Sequence, residues 1–172
     1  VNHFDVRNCR RTDNFFKYCR KLKTIDLSNW ETPLLENMEA MFFECYELED
    51  VKMTKFTSDS LLNARELFNY DQLLKTVDFG QMTFNLVDSM ENMFNGCYSI
   101  ETLDLSKWNT FSVSNMKNMF GGCYGLTNLI LGDKFTTKYV KDFSGMFSNN
   151  VLLTGIDFSK WDLSAAEDLS QM

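Results

Sequence analysis

A repeat of 26 residues runs through almost the whole chain and constrains the fold more than any other feature. The stretch from Ser89 to Ser114, SMENMFNGCYSIETLDLSKWNTFSVS, is one complete copy. Its phenylalanine, Phe94, recurs at Phe16, Phe42, Phe68, Phe120 and, after one extra residue, Phe147. Such a period indicates a repeat architecture, because one short unit cannot bury its apolar face alone and must stack on its neighbours.

Six copies follow one another without linkers, so we predict one repeat domain over residues 1–172. The first to sixth copies begin near Arg11, Asn37, Asn63, Ser89, Asn115 and Lys141. Residues 1–10 are interpreted as a degenerate N-terminal repeat, and residues 167–172 as the start of a truncated one. Met172 stands where each copy has the methionine before its phenylalanine, so we expect the natural protein to continue.

Within each copy the apolar spacing predicts a short helix and then a short strand. Met90, Met93 and Phe94 are spaced so that they share one face of a helix. Leu103 and Leu105 alternate with a polar residue, which is the period of a strand. Stacking would place parallel strands on one face and helices on the other. The sequence therefore predicts a right-handed α/β solenoid of about six 26-residue repeats.

The overall charge limits the classes of partner. The chain has 17 Lys and Arg against 24 Asp and Glu, a formal net charge of −7. Nucleic-acid-binding proteins neutralise phosphates with clustered Lys and Arg, so we expect no nucleic-acid partner. No apolar run approaches the ~20 residues of a membrane span, so we expect no membrane insertion by this chain.

Four of the five cysteines share one repeat position. They are Cys19, Cys45, Cys97 and Cys123, and Asp71 and Asn150 take that position in the third and sixth copies. Metal-site spacings such as C-x₂-C are absent. We expect buried free thiols, because free cysteine is among the most buried residue types. Disulfides between neighbouring copies remain the alternative.

The central outward position of the predicted strands forms a charged row. It reads Asp26, Lys52, Asp78, Asp104, Ile130 and Asp157. One interpretation is a solvated sheet face whose carboxylates are held by nearby hydroxyls and by Lys107 or Lys160. A second is an acidic surface for a basic protein partner. The third, a calcium site, fits less well, because a flat row of single carboxylates does not surround an ion with six to eight oxygens.

A tyrosine follows the cysteine in three copies. These residues are Tyr46, Tyr98 and Tyr124, and the last two lie in adjacent copies. Exposed rings in a row would stack on sugars or anchor a protein, because tyrosine offers a large area at low entropy cost. The alternative is that the rings are half-buried with their hydroxyls in water.

No catalytic arrangement is visible in the sequence. His3 is the single histidine and lies at the N-terminal edge, so no Ser-His-Asp or Cys-His set is expected inside the chain. The phosphate-binding motifs G-x-x-x-x-G-K-[ST] and G-x-G-x-x-G are absent. We therefore predict that the chain is not an enzyme and uses no cofactor or metal.

The copies resemble a known repeat family. The segments MFNGCYSIETLDLSKWNT and NMKNMFGGCYGLTNLIL are similar to the BspA-type leucine-rich repeat of bacterial surface proteins, in the roughly 25-residue form also found in Mycoplasma-type surface lipoproteins. The third copy departs most, with Ala64, Leu67, Asp71 and Met82 in place of Met, Met, Cys and Trp. We therefore expect the least regular stacking there.

The resemblance implies a leucine-rich-repeat solenoid on a secreted or cell-surface protein, and no catalytic residues. It favours a non-enzymatic binding module that recognises a host, matrix or cell-surface protein in adhesion or host contact. The alternatives are a carbohydrate-binding repeat domain that uses the tyrosines, or a structural stalk that displays other domains. The candidate partner-binding residues are Asp26, Lys52, Asp78, Asp104, Asp157, Tyr46, Tyr98 and Tyr124.

Overall fold

The computed structural model describes residues 3–172, which contain five short strands in two parallel sheets. The strands are β1 (Thr24–Asp26), β2 (Asp50–Lys52), β3 (Thr76–Asp78), β4 (Thr102–Leu105) and β5 (Asn128–Leu131). The first sheet has the order β1-β2-β3 and the second pairs β4 with β5. Ile25 lies opposite Val51, and Leu103 lies opposite Leu129, so paired residues are one 26-residue repeat apart. The first five predicted strands are confirmed, whereas residues 155–158 in the sixth copy form none.

The predicted helices are wrong, because no helix occurs between residues 3 and 172. The prediction of a right-handed α/β leucine-rich-repeat solenoid is therefore wrong as well. Successive turns stand where the helices were expected. In the fourth copy the N–H of Met93 donates to the carbonyl of Met90 at 3.2 Å, and the N–H of Cys97 donates to Phe94 at 3.1 Å. The third residue of each turn, Asn92 or Gly96, has a φ of 55° or 75°, as a type II turn requires.

Hydrogen bonds between copies explain why turns replace the helix. The N–H groups of Asn92 and Phe94 donate to the carbonyls of Lys117 and Met119 in the next copy, both at 2.9 Å. A helix would use such donors internally, and a helix of about two turns is marginal in water. The turns therefore join the copies through the backbone. They still bury Met90 and the other residues of the predicted apolar face completely.

A stack of phenylalanine rings forms the centre of the core. The rings of Phe16, Phe42, Phe68, Phe94, Phe120 and Phe147 lie 5.3–6.0 Å apart between neighbours, with interplanar angles of 3–15°. Beside this stack, parallel bridges join the first residues of successive copies from Arg11 to Asp168. Every copy is thus held to the next on the turn side of the molecule.

Between residues 3 and 172, strand pairing breaks between β3 and β4 and ends after β5. The expectation that stacking is least regular at the third copy agrees with the missing pair between β3 and β4, but the sixth copy, which has no strand, departs further. The physical cause of the missing pair is Phe79, which occupies the position of Leu27, Met53 and Leu105. Its ring lies 6.1 Å from Phe68 and 5.2 Å from Trp108, which belong to different copies. The ring therefore separates the two copies on this side.

The side chains at the cysteine position line up from copy to copy, and most of them donate a hydrogen bond to a backbone carbonyl of an earlier copy. The thiols of Cys97 and Cys123 donate to the carbonyls of Phe68 and Phe94 at 3.1 and 3.2 Å. All five cysteines are free, and Cys45, Cys97 and Cys123 are buried, as expected. The same expectation is wrong for Cys19, which is exposed. Burial raises the pKa of Cys123 to about 12, so this thiol stays protonated at neutral pH.

Asp71 is a buried carboxyl in this column. Its Oδ1 accepts a hydrogen bond from the N–H of Cys45 at 2.7 Å, whereas Oδ2 has no partner. Burial raises the pKa of Asp71 well above its usual value, and it also lies near the Cys97 thiol. In the sixth copy the equivalent Asn150 donates its amide to the carbonyl of Phe120 at 2.8 Å. Oδ1 of Asn150 has no partner either, so the difference is that the amide nitrogen donates a hydrogen bond and the side chain carries no charge to bury.

We expect Asp71→Asn to stabilise the protein at neutral pH by about 1–3 kcal/mol, because it removes an unsatisfied buried acid. Because burial raises the pKa of Asp71, the folded protein keeps this carboxyl protonated at pH values at which the unfolded chain has already released the proton. The wild type's free energy of unfolding therefore falls as pH rises above about 4, and the advantage of Asp71→Asn should shrink toward that pH. Urea unfolding across this range measures the difference. Equal pH slopes for wild type and variant would contradict the assignment, and the exposed Asp59→Asn serves as the control.

We also expect Trp108→Ala to destabilise the protein by about 3–5 kcal/mol, because Trp108 is only 1% exposed and packs 4.1 Å from Phe84. The matched control is Phe111→Ala at a ring that is 57% exposed, for which about 0.5 kcal/mol or less is expected. Urea denaturation compares the two variants. Similar losses would show that Trp108 is not part of the inner core.

Candidate functional site

The predicted charged row lies on the exposed face of both sheets but is not continuous. Asp26, Lys52 and Asp78 lie opposite one another in the first sheet. Asp104 lies opposite Ile130 in the second sheet. Asp157 is exposed but belongs to no strand. The row therefore consists of a three-residue part and a two-residue part, and the expectation that Asp157 extends it along a sheet is wrong.

Local turns hold the carboxylates of the row. Oδ1 of Asp26 and of Asp104 accepts the N–H two residues later, each at 2.9 Å, and Asp78 accepts from Gly80 at the same distance. Hydrogen bonds from the side chain and the backbone N–H of Ser106 hold the pKa of Asp104 below its usual value. The equivalent bonds from Ser28 lower the pKa of Asp26. These side chains are charged and oriented before any ligand arrives.

The expected lysine partners bind elsewhere. The ammonium of Lys107 donates to the carbonyl of Gly80 at 2.8 Å, and Lys160 pairs with Asp133 at 3.3 Å. The interpretation of a solvated face is therefore correct for the serine contacts. Neither lysine hydrogen-bonds a carboxylate of the row, but the charges of Lys107 and Lys160 help to lower the pKa of Asp104 and Asp157. The row keeps its acidic character around Asp78 and Asp104.

A cleft lies along β3 and β4 and extends to Tyr98, Thr127 and Leu152. Its volume is about 1060 Å³, and the lining includes Lys75, Val77, Phe79, Glu101, Leu103 and Asp104. A second cavity of about 290 Å³ shares part of this lining and contains Asp78, Lys107 and Trp108. The repeat pattern does not predict this cleft. Its signal was Phe79, a larger residue where neighbouring copies have leucine or methionine.

Two of the three predicted tyrosines form a pair. The rings of Tyr98 and Tyr124 lie 5.0 Å apart at an interplanar angle of 36°. They border a groove of about 260 Å³ together with the side chains of Asn95 and Asn118. Tyr98 is half-buried, and desolvation raises its pKa, whereas Tyr124 is 43% exposed. The half-buried alternative thus fits Tyr98 and the exposed alternative fits Tyr124.

Glycine shapes the floor of this groove. A Cβ added to Gly96 would lie 2.8 Å from the ring of Tyr70, and its φ of 75° also disfavours other residues. Tyr46 lies apart from the groove. Its hydroxyl donates to Glu44, and the guanidinium of Arg20 lies 5.1 Å from its ring centre. Of the three predicted tyrosines, Tyr98 and Tyr124 therefore act as one surface, and Tyr70 lines the same groove.

Two further findings concern the described part of the chain. Within residues 3–172, no group of three or more His, Cys, Asp or Glu side chains is placed to hold a metal ion. The same residues contain no helix with the length and apolar character needed to cross a membrane.

The comparisons with known proteins identify a family and no activity. The model of a family described as "Mycoplasma protein of unknown function, DUF285" matches residues 1–77 and 64–172. No curated protein and no solved structure matches the chain. The leucine-rich-repeat family itself is not matched, and the secretion and adhesion that the resemblance implied have no support. Because the two matched ranges together span the chain, it belongs to the DUF285 family of Mycoplasma proteins of unknown function.

Proposed function

We propose that this chain is a non-enzymatic binding module that recognises a protein partner carrying basic residues. The observation that carries the proposal is the exposed row of oriented carboxylates beside the cleft, namely Asp78 and Asp104. Opposite charge across an interface steers association and selects partners. The net charge of −7 acts in the same direction over a longer range.

Preorganisation strengthens this interpretation. A flexible surface carboxylate loses rotamer freedom when it binds, and that loss weakens the complex. The turn hydrogen bonds of 2.9 Å at Asp78 and Asp104 already restrict both side chains. Their charges therefore contribute to binding with a smaller entropic loss than exposed side chains without partners.

We also infer that the repeat is related to the BspA-type repeat at the level of its sequence pattern. The shared residues are those of the segment MFNGCYSIETLDLSKWNT. This relationship does not extend to a leucine-rich-repeat fold. An extracellular or cell-surface location stays a prediction.

The acidic row is tested with Asp78→Asn/Asp104→Asn, which removes two charges while the amide oxygens can still accept the turn hydrogen bonds. We expect at least about tenfold weaker binding to the basic peptides that the wild type selects from a peptide library. We also expect wild-type affinity to fall as salt rises, because the charges are exposed. Fluorescence anisotropy measures both effects.

The matched control for this experiment is Asp59→Asn/Glu167→Gln. It removes two exposed charges that line neither cavity of the candidate site. Unchanged binding in the Asp78/Asp104 variant would refute the role of the acidic row. A wild type that binds no peptide or protein would favour a structural stalk.

The tyrosine pair favours carbohydrate binding as a second candidate function. Aromatic faces and side-chain amides are a suitable combination for a ligand with apolar C–H faces and many hydroxyls, since binding sites combine apolar walls with a few polar groups. Tyr98, Tyr124, Asn95 and Asn118 supply this combination around one groove. The groove volume of about 260 Å³ suits one or two sugar rings.

On a glycan array, we expect any glycan bound by the wild type to be lost by Tyr98→Ala/Tyr124→Ala, because both stacking faces are removed. Tyr139→Ala changes an equally exposed ring outside the groove and should retain binding. An array that is blank for the wild type eliminates this second function.

A further inference from the structure

The interruption between β3 and β4 leaves backbone groups of two strands unpaired. Where neighbouring strands pair, the carbonyl before the first strand accepts from the next copy: Glu49 accepts the N–H of Lys75 at 2.9 Å, and Glu101 accepts that of Thr127 at 3.0 Å. The corresponding bond from Glu101 or Thr102 to the carbonyl of Lys75 is absent in the described chain.

The same difference occurs after the strands. The N–H of Leu27 donates to the carbonyl of Lys52, and that of Met53 donates to Asp78, each at 2.8 Å. The equivalent bond from Phe79 to Asp104 is absent within residues 3–172. Two strand edges therefore face each other across the cleft with their donors and acceptors available.

This gap is open only on the strand side. At the turn side of the same two copies, Asn63 and Ser89 form a parallel bridge and the rings of Phe68 and Phe94 lie 5.6 Å apart. On the strand side the neighbouring junctions are tight, since a Cβ on Gly80 would lie 2.3 Å from the carbonyl oxygen of Thr54. The result is a wedge-shaped cleft whose floor includes Phe79.

We propose that this cleft binds an extended basic segment of a partner protein, which pairs as an added strand with the free edge of β4. Free strand edges accept such segments through main-chain hydrogen bonds, and alternate side chains provide the specificity. The inference rests on the proposed function and adds how the partner is held.

The lining determines which segment fits. Val77, Phe79 and Leu103 form an apolar floor, so the side chains that point into the cleft are β-branched or otherwise apolar. Asp78, Glu101 and Asp104 lie at its borders, so the alternate, outward side chains are lysine or arginine. The partner segment therefore alternates apolar and basic residues.

The test uses two synthetic probes with the sequence Lys-Val-Thr-Val-Lys-Val-Lys, one unmodified and one with N-methyl groups on alternate backbone amides. Both carry the same charges, but only the unmodified peptide can pair as a strand. We expect the unmodified probe to bind at least about tenfold more tightly. Its binding should also slow hydrogen exchange at the amide of Thr102, which lies in β4.

Phe79→Leu supplies an independent variant, because it introduces the residue found at this position in Leu27 and Leu105. We expect this variant to let β3 pair with β4 and to bind the unmodified probe at least about tenfold more weakly. Phe111→Leu changes an exposed ring outside the cleft and should bind as the wild type does.

The outcomes separate this inference from the proposed function. Equal binding of both probes would overturn strand pairing while leaving recognition of basic partners intact. Failure of the unmodified probe, when library peptides still bind, would likewise overturn the strand-pairing mode. If neither the probes nor any library peptide bind, the proposed function fails as well.

Discussion

The stack of phenylalanine rings is the interaction on which the rest of the structure depends. Each ring lies over the ring of the preceding copy at 5.3–6.0 Å and nearly parallel to it. A slip of one residue would replace most of the rings with side chains that cannot stack, such as Met93 or Asn95, so the rings fix the register. The extra residue between Phe120 and Phe147 does not disturb this contact, which remains at 5.6 Å and 10°. The insertion is accommodated between Leu131 and Phe135, away from the stack.

Much of the fold could be predicted, because the spacing of apolar residues along the sequence shows which side chains are buried. The strand register and the buried positions of Met90, Phe94 and Trp108 follow from residue spacing alone. The choice between helix and turns could not be made that way, because a spacing of three and four residues fits both. The decision depends on bonds from Asn92 and Phe94 to the next copy, which a single copy does not contain.

The candidate site was predictable in its chemistry and not in its shape. The outward position of Asp78 and Asp104 follows from strand alternation, and both are exposed. The cleft beside them depends on one side chain, Phe79, whose ring contacts both adjoining copies. The spacing shows that the position of Phe79 is apolar. It does not show whether the core can accommodate a larger ring there or whether the ring holds the two adjoining copies apart. That outcome depends on the packing around Trp108.

The cleft between β3 and β4 also affects how the protein unfolds. In repeat proteins, stability is approximately the sum of the intrinsic terms of each unit and the coupling between nearest neighbours. The junction between the third and fourth copies has lost its strand hydrogen bonds and retains those of the turn side, such as the bridge from Asn63 to Ser89. Its coupling is weaker than that of the junction crossed by β4 and β5. We therefore expect the first three copies to unfold with less dependence on the later ones than two copies joined by paired strands, and a ligand seated in the cleft would strengthen the coupling between them.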